Sequence, residues 1–199
     1  MKTKIKLIGI CGPSNSGKST ICKEFSKKYK SEWIEVDHYY KNIEEIPLLG
    51  KPFPEKWRNW ELPNDFNLKK LYEDIKALKQ GKSIKVPVYS FTKGYIKGWK
   101  KVKPSKVILI EGFYLFKDKK IRDILDVKLY LDIPIKEILK RRVFPKYLQK
   151  YEWAKKEYTK KVYLPMYKKY GISQKKYADL IIDGILPLKE IVRKIDKII

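Results

Sequence analysis

The chain is poor in the residues that staple small secreted domains or hold metals. Among 199 residues there are two cysteines, Cys11 and Cys22, and one histidine, His38. The cysteines match no CxxC or comparable spacing, which argues against a zinc site or a disulfide framework and fits free thiols in a reducing cytoplasmic setting. No apolar run reaches eighteen residues, and the N-terminal apolar segment is short and broken by Lys6. Neither a membrane span nor an export signal is expected. Acidic side chains are scarce as well: 23 Asp and Glu stand against 47 Lys and Arg, a formal charge of +24. Such a field draws polyanions such as RNA and small phosphorylated ligands alike. A lysine-rich surface inherited from a lysine- and isoleucine-rich proteome accounts for it equally well, and composition does not separate the two.

What is present is an alternation of strand and helix patterns from end to end, with 43% hydrophobic content, enough for a single domain over residues 1–199. The runs IKLIGIC, WIEVD, KVILIEG, VKLYLDI and ADLIIDG predict an α/β fold, a parallel five-stranded sheet flanked by helices. WIEVD is read as a strand ending on Asp37, and the first strand as the central one. IKVPVYSF is also extended, but Pro87 places it in an edge or hairpin strand outside the parallel core. Leu68, Leu71, Tyr72, Ile75 and Leu78 share one helical face, capped by Asn67 and stopped by Gly81. Residues 18 to about 28 form another helix, and LKEIVRKIDKII a closing one behind Pro187. From Ile135 to Tyr170 the pattern predicts a helix, a basic break near Pro145, and a second helix carrying Tyr147, Tyr151, Ala154, Tyr158 and Val162. Pro165 is expected to kink or end that helix. Residues from about 141 to 170 then make a helical lid.

Directly after the first strand, GPSNSGKST fits GxxxxGK(S/T) without a mismatch, from Gly12 through Ser14, Asn15, Ser16, Gly17, Lys18 and Ser19 to Thr20. Between a strand and a helix such a loop is a P-loop: its N–H groups cradle phosphates, Lys18 reaches the outer ones, and the Ser19 hydroxyl ligates magnesium. The DxxG and NKxD motifs of a GTPase switch are missing. Glu111, at the tip of KVILIEG, can hold magnesium directly or through water, or can simply mark where the strand leaves the core. Asp37 in VDHYYK can accept the proton of an attacking hydroxyl, or can be an ordinary turn residue. Tyr39 and Tyr40 either stack on a ring or cover the core, and His38 is given no chemistry. In LKRRVFPK, Arg141 and Arg142 can reach the β- and γ-phosphates, while Lys140 and Lys146 need no more than a solvated helix face.

In this order the pieces resemble the uridine-cytidine kinase and nicotinamide riboside kinase group of P-loop kinases over nearly the whole chain. GPSNSGKST, VDHYYK and ILIEGFYLF are similar to both branches. NWELPNDF, GKSIKVPVYSF and KKYADLIIDG resemble the uridine kinase branch, while YLDIPIKEILKRR and YLPMYKKY resemble the riboside kinase branch. The resemblance implies an enzyme that uses ATP or GTP with Mg²⁺ to phosphorylate the 5'-hydroxyl of a ribonucleoside, uridine or cytidine first and nicotinamide riboside as the alternative. It implies Asp37 as the base for that hydroxyl, Tyr89 and Phe91 as lining of a nucleobase pocket, and Glu61, following Trp60, as a ribose-binding carboxylate. Arg142 corresponds to the family motif through the arginine pair itself. The chain departs from the family at Gly94, where a base-reading His would stand, and in the lid, which continues as VFPKYLQKYE. A reading from another class, an RNA-directed kinase or RNA-binding NTPase, rests on the charge and on tyrosines interleaved with lysines from Lys146 to Lys169. Donor preference, homo-oligomerisation and the acceptor's base are left open.

Overall fold

The computed structural model describes residues 5–142 and 152–198. The basic break at Pro145, with Lys146, and the positions Tyr147 and Tyr151 lie outside the described residues. The expected sheet is present: β1 (Lys6–Cys11), β2 (Glu32–Glu35), β5 (Val107–Gly112), β6 (Val127–Asp132) and β7 (Leu180–Asp183) run parallel in the order β2-β5-β1-β6-β7. β1 is central, and its last residue, Cys11, lies level with Gly112 on one side and Tyr130 on the other. The chain leaving β1 therefore emerges between the ends of β5 and β6, where open parallel sheets collect their ligands.

Alternate side chains of each strand enter two separate cores, as a sheet covered on both faces requires. Ile8, Ile10, Leu129 and Leu131 pack with Ile21, Cys22 and Phe25 of α1 (Lys18–Tyr29) and with Ile191 and Ile195 of α7 (Leu188–Asp196). Leu7, Cys11, Ile110 and Tyr130 pack on the other face with Leu71, Ile75 and Leu78 of α2 (Leu68–Lys79) and Ile138 of α4 (Ile135–Arg141). Each such side chain contributes about 1.5–3 kcal/mol by leaving water. The predicted cap of α2 is formed, with the Asn67 side chain accepting from the Lys70 N–H at 3.0 Å, and Gly81 takes a left-handed φ of 81° past its end. A short α3 (Lys119–Ile124), opened by Asp118 accepting from the Ile121 N–H, was not read from the sequence.

Two expectations are corrected. β2 stops at Glu35, and Asp37 lies on the following 3₁₀ turn, Val36–Tyr39. Val36 and Tyr39 are buried there, and the Tyr39 hydroxyl donates to Asp74 of α2 at 2.8 Å, so core packing pulls the chain out of the strand early. Nor does Pro165 end its helix. α5 (Glu152–Tyr158) passes into a π-helical turn, Thr159–Tyr163, then α6 (Leu164–Met166), a second π-helical turn, Tyr167–Gly171, and a 3₁₀ segment, Ile172–Tyr177. Pro165 falls in the first turn of α6, where the hydrogen-bond register changes and its missing N–H is not needed. Tyr158, Tyr163 and Tyr167 of this rod are core residues, which takes them away from any stacking surface for RNA. Among the described residues no helix is long and apolar enough to cross a membrane.

The segment with Pro87 is a hairpin strand, as expected: β3 (Ile84–Ser90) pairs antiparallel with β4 (Tyr95–Val102), apart from the main sheet, with Pro87 opposite Trp99. Its turn is held down at Gly94, which has a φ of 76° and whose carbonyl accepts from the Ile43 N–H at 2.7 Å. A Cβ at Gly94 would stand 2.5 Å from the Ile43 Cβ. Gly94→Ala is therefore expected to lower stability by about 1–3 kcal/mol, read as a shift in the urea midpoint. An unchanged midpoint would mean that the turn has another conformation open to it.

Candidate active site

The loop after β1 can follow its path only because Gly12 has no side chain: a Cβ there would lie 2.5 Å from the Leu131 carbonyl oxygen of β6. Left-handed φ values at Asn15 (61°) and Gly17 (102°) curl the chain in the manner of an anion-binding backbone nest. Lys18 is buried and its Nζ donates to the Pro13 carbonyl at 2.9 Å, which folds the ammonium back over the loop. The Ser16 hydroxyl is buried with no hydrogen-bond partner. A loop curled by left-handed residues, with a folded-back lysine and an unspent hydroxyl, fits phosphate oxygens. Thr20 is exposed one position beyond Ser19, in the first turn of α1.

Ser19 and Glu111 are brought together as expected, the hydroxyl donating to Oε1 at 2.5 Å. Both are hard oxygen donors on the phosphate side, and a magnesium ion held by one carboxylate, a hydroxyl and substrate oxygens would suit them. Burial raises the Glu111 pKa to about 7, against the pull of Lys18, with Asp37 adding to the rise. The carboxyl is thus poised to lose its proton when a cation arrives.

Asp37 joins two halves of the site. Its side chain is open to solvent on one side and enclosed by protein on the others. That enclosure raises its pKa, opposed by Lys18 and reinforced by Glu35. Its own charge raises the pKa of Glu111 on the phosphate side and of Tyr40 and Glu61 on the other. The carboxylate therefore stands within electrostatic reach of both.

Beyond Asp37 is an aromatic cluster. Tyr40 lies 4.1 Å from Phe66 and edge-on to Trp60 at 5.4 Å, and its hydroxyl donates to the Trp60 carbonyl at 2.9 Å. Tyr40 thus packs against the core, the second of the two roles expected of it. Phe91 is half exposed and meets Tyr40 edge-on at 6.3 Å. Tyr89 does not offer the open face expected of it: it is buried, and its hydroxyl is spent on the Lys41 carbonyl at 3.0 Å. Its backbone N–H donates to Nδ1 of His38 at 3.1 Å, so that nitrogen carries no proton and His38 serves as a brace between Asp37 and β3. Gly94, turned against Ile43, is no vacated reading position.

Glu61 and Arg142 form one buried ion pair, Arg142 Nη2 donating to Glu61 Oε1 at 2.8 Å. Burial raises the Glu61 pKa, with Arg142 pulling against it. The Arg142 guanidinium lies 3.8 Å from the ring centroid of Tyr163. Arg141 turns the other way, to Glu137 at 3.5 Å and the Gly184 carbonyl at the end of β7 at 3.4 Å. Sequence reasoning missed Tyr163 because Tyr158 and Tyr163 are five residues apart, off the α-helical stripe; the π-helical turn between them restores a common side. Cys11 and Cys22 are free and buried, and burial pushes the Cys11 thiol up to about 12, so neither is a nucleophile.

Residues 7–190 match the model of the Phosphoribulokinase / Uridine kinase family. A uridine kinase of Macrococcus caseolyticus is 31% identical over 189 residues, which cover 90% of this chain and 88% of that one. A uridine kinase of Clostridium perfringens is 31% identical over 182 residues, covering 88% and 85%. Among solved structures, that of a possible uridine kinase from Bacillus stearothermophilus aligns with a TM-score of 0.57 at 20% identity, over 92% of this chain and 91% of that one. The phosphoribulokinase of Rhodobacter spheroides aligns with a TM-score of 0.61 at 15% identity, over 94% and 75%. At those identities the two structures bear on the fold alone. Fold and loop define a P-loop kinase, a phosphotransferase that acts on a hydroxyl acceptor. Within that class the chain belongs to the phosphoribulokinase / uridine kinase family.

The raised Glu111 pKa carries a sign. A carboxyl at about 7 when folded binds more protons than the unfolded chain above its ordinary value, so its contribution to stability is present at low pH and lost as pH rises through 7. Without ligands, the unfolding free energy is expected to fall by about 1–3 kcal/mol between about pH 4.5 and 7, the melting temperature falling with it, and Glu111→Gln to flatten that fall. Thermal melts across this range check it; a variant with the wild-type slope would place the titration elsewhere.

Proposed function

We propose that this kinase transfers the terminal phosphoryl group of ATP or GTP to the 5'-hydroxyl of a ribonucleoside, with uridine or cytidine as leading acceptors. The observation that carries the reading is the position of Asp37, within reach of Lys18 and Glu111 on one side and of Tyr40 and Glu61 on the other. The relatives named uridine kinase support a nucleoside as the acceptor. In this reading the loop from Gly12 to Thr20 holds the donor's phosphates, and Arg141 serves the donor side near the end of β7. Ser19 and Glu111 hold Mg²⁺, which when bound offsets charge on the phosphate oxygens. Asp37 accepts the 5'-hydroxyl proton as that oxygen attacks, and a carboxylate whose pKa is raised by its enclosure is the better base. Lys18 and Arg142 stabilise the charge that develops on the transferring group.

On the acceptor side, Glu61 receives hydrogen bonds from the ribose hydroxyls. Because Glu61 already holds Arg142, sugar binding and arginine placement are coupled through one ion pair. Tyr40, Trp60 and Phe91 supply apolar ring surface to the base, and Tyr89 backs Phe91 at 5.3 Å. Ring contacts bind bases without distinguishing them, and the Tyr89 hydroxyl is engaged by the Lys41 carbonyl.

Asp37→Asn keeps the shape and removes the proton acceptor. Turnover with uridine is expected to fall about 10²- to 10⁴-fold while donor binding is kept. Wild-type turnover would return Asp37 to the role of a turn residue. With the native protein and labelled donor, kcat/KM across uridine, cytidine and purine nucleosides is expected to spread by less than about 10³-fold. A wider spread would reveal polar groups aimed at the base edge that the pocket description lacks.

A further inference from the structure

Tyr163 stands where the two halves of the site meet. It closes the π-helical turn Thr159–Tyr163 and is wholly buried. One face of its ring carries the Arg142 guanidinium at 3.8 Å, and it stacks with Tyr167 at 6.0 Å with ring planes 4° apart. Its hydroxyl is buried, and its proton finds no acceptor. Burial keeps the phenol protonated, and among the groups acting on it are Arg142 and the backbone N–H of Ser14 in the phosphate loop. A buried hydroxyl is rarely left unpaired, because its lost hydration is not repaid. The Ser16 hydroxyl, inside the same loop, is left in the same condition. Two unspent donors beside one loop indicate a ligand that supplies acceptors to both. Ser14 and Ser16 both belong to the phosphate loop, so the acceptors in question are on the phosphate side.

We infer that Tyr163 is a further donor-binding residue: its hydroxyl donates to a phosphoryl oxygen of the bound nucleoside triphosphate while its ring sets the plane of Arg142. The inference rests on the phosphoryl-transfer reading above and deepens it, since it assigns to the helical rod that carries Tyr163 a direct hold on the donor. The ring and the hydroxyl are separable. Tyr163→Phe keeps the stack and removes the donor; Tyr163→Leu removes both.

The experiment is an equilibrium titration with Mg·ATP and with Mg·GTP, without any acceptor, on the wild type and both variants, with ligand-free melting curves and steady-state kinetics alongside. Tyr163→Phe is expected to bind the better triphosphate about 10-fold or more weakly, as loss of a hydrogen bond to a charged group predicts. Its ligand-free melting temperature should be unchanged or higher, since a buried group without a partner is gone, and the acceptor KM should not move. Tyr163→Leu should in addition lower kcat, through the loss of the surface that orients Arg142. Wild-type triphosphate affinity in Tyr163→Phe would overturn the inference, and so would a lower melting temperature with affinity intact, which would make the hydroxyl structural. Should the wild type itself bind neither triphosphate, the phosphoryl-transfer reading fails and this inference with it.

Discussion

The close approach of Gly12 to the Leu131 carbonyl is the constraint from which the rest of the site follows. With 2.5 Å between that oxygen and the place of a Cβ, only glycine lets the chain leave β1 and turn tightly against β6. That turn sets Lys18 and Ser19 at the start of α1, and the pairing of β1 with β5 sets Glu111 beside them. Neither the cation side nor the phosphate side has freedom to drift, because both are read off strand ends that are locked in register.

Charge inside the site opposes charge outside it. The surface is strongly basic, yet the centre gathers Glu35, Asp37, Glu61 and Glu111 around Lys18 and Arg142. Each of Asp37, Glu61 and Glu111 has a raised pKa with loss of solvent as the leading cause. A carboxylate cluster in such surroundings is unfavourable without a cation, and phosphate groups are unfavourable there without one too. A metal-bound triphosphate answers both demands at once, whereas either alone answers one.

Much of this was legible from residue order because it depends on neighbours in sequence. The loop sits between a strand and a helix whose periodicities are unambiguous, Asn67 and Gly81 bracket α2 by local chemistry, and Pro87 excludes its strand from the central sheet. What was not legible depends on distant partners. Asp37 leaves the strand because Tyr39 finds Asp74, thirty-five positions away. Glu61 and Arg142 are eighty-one positions apart, and nothing local announces that two expected ligand groups are one ion pair. Pro165 does not end its helix, because the rule for proline assumes an α-helical register, and here the register changes on both sides of it.

The hairpin that carries Tyr89 and Phe91 is a sheet of its own, packed on the core through Ile84, Val86 and Val102 and tied down by His38, Lys41 and Ile43. The phosphate loop hangs instead from the five-stranded sheet. The two supports share a core, so only hairpin side chains that stand clear of it should give nearly additive mutational effects. If the proposed acceptor reading holds, preference is open to redesign, by selection or by hand, at exposed hairpin positions such as Phe91.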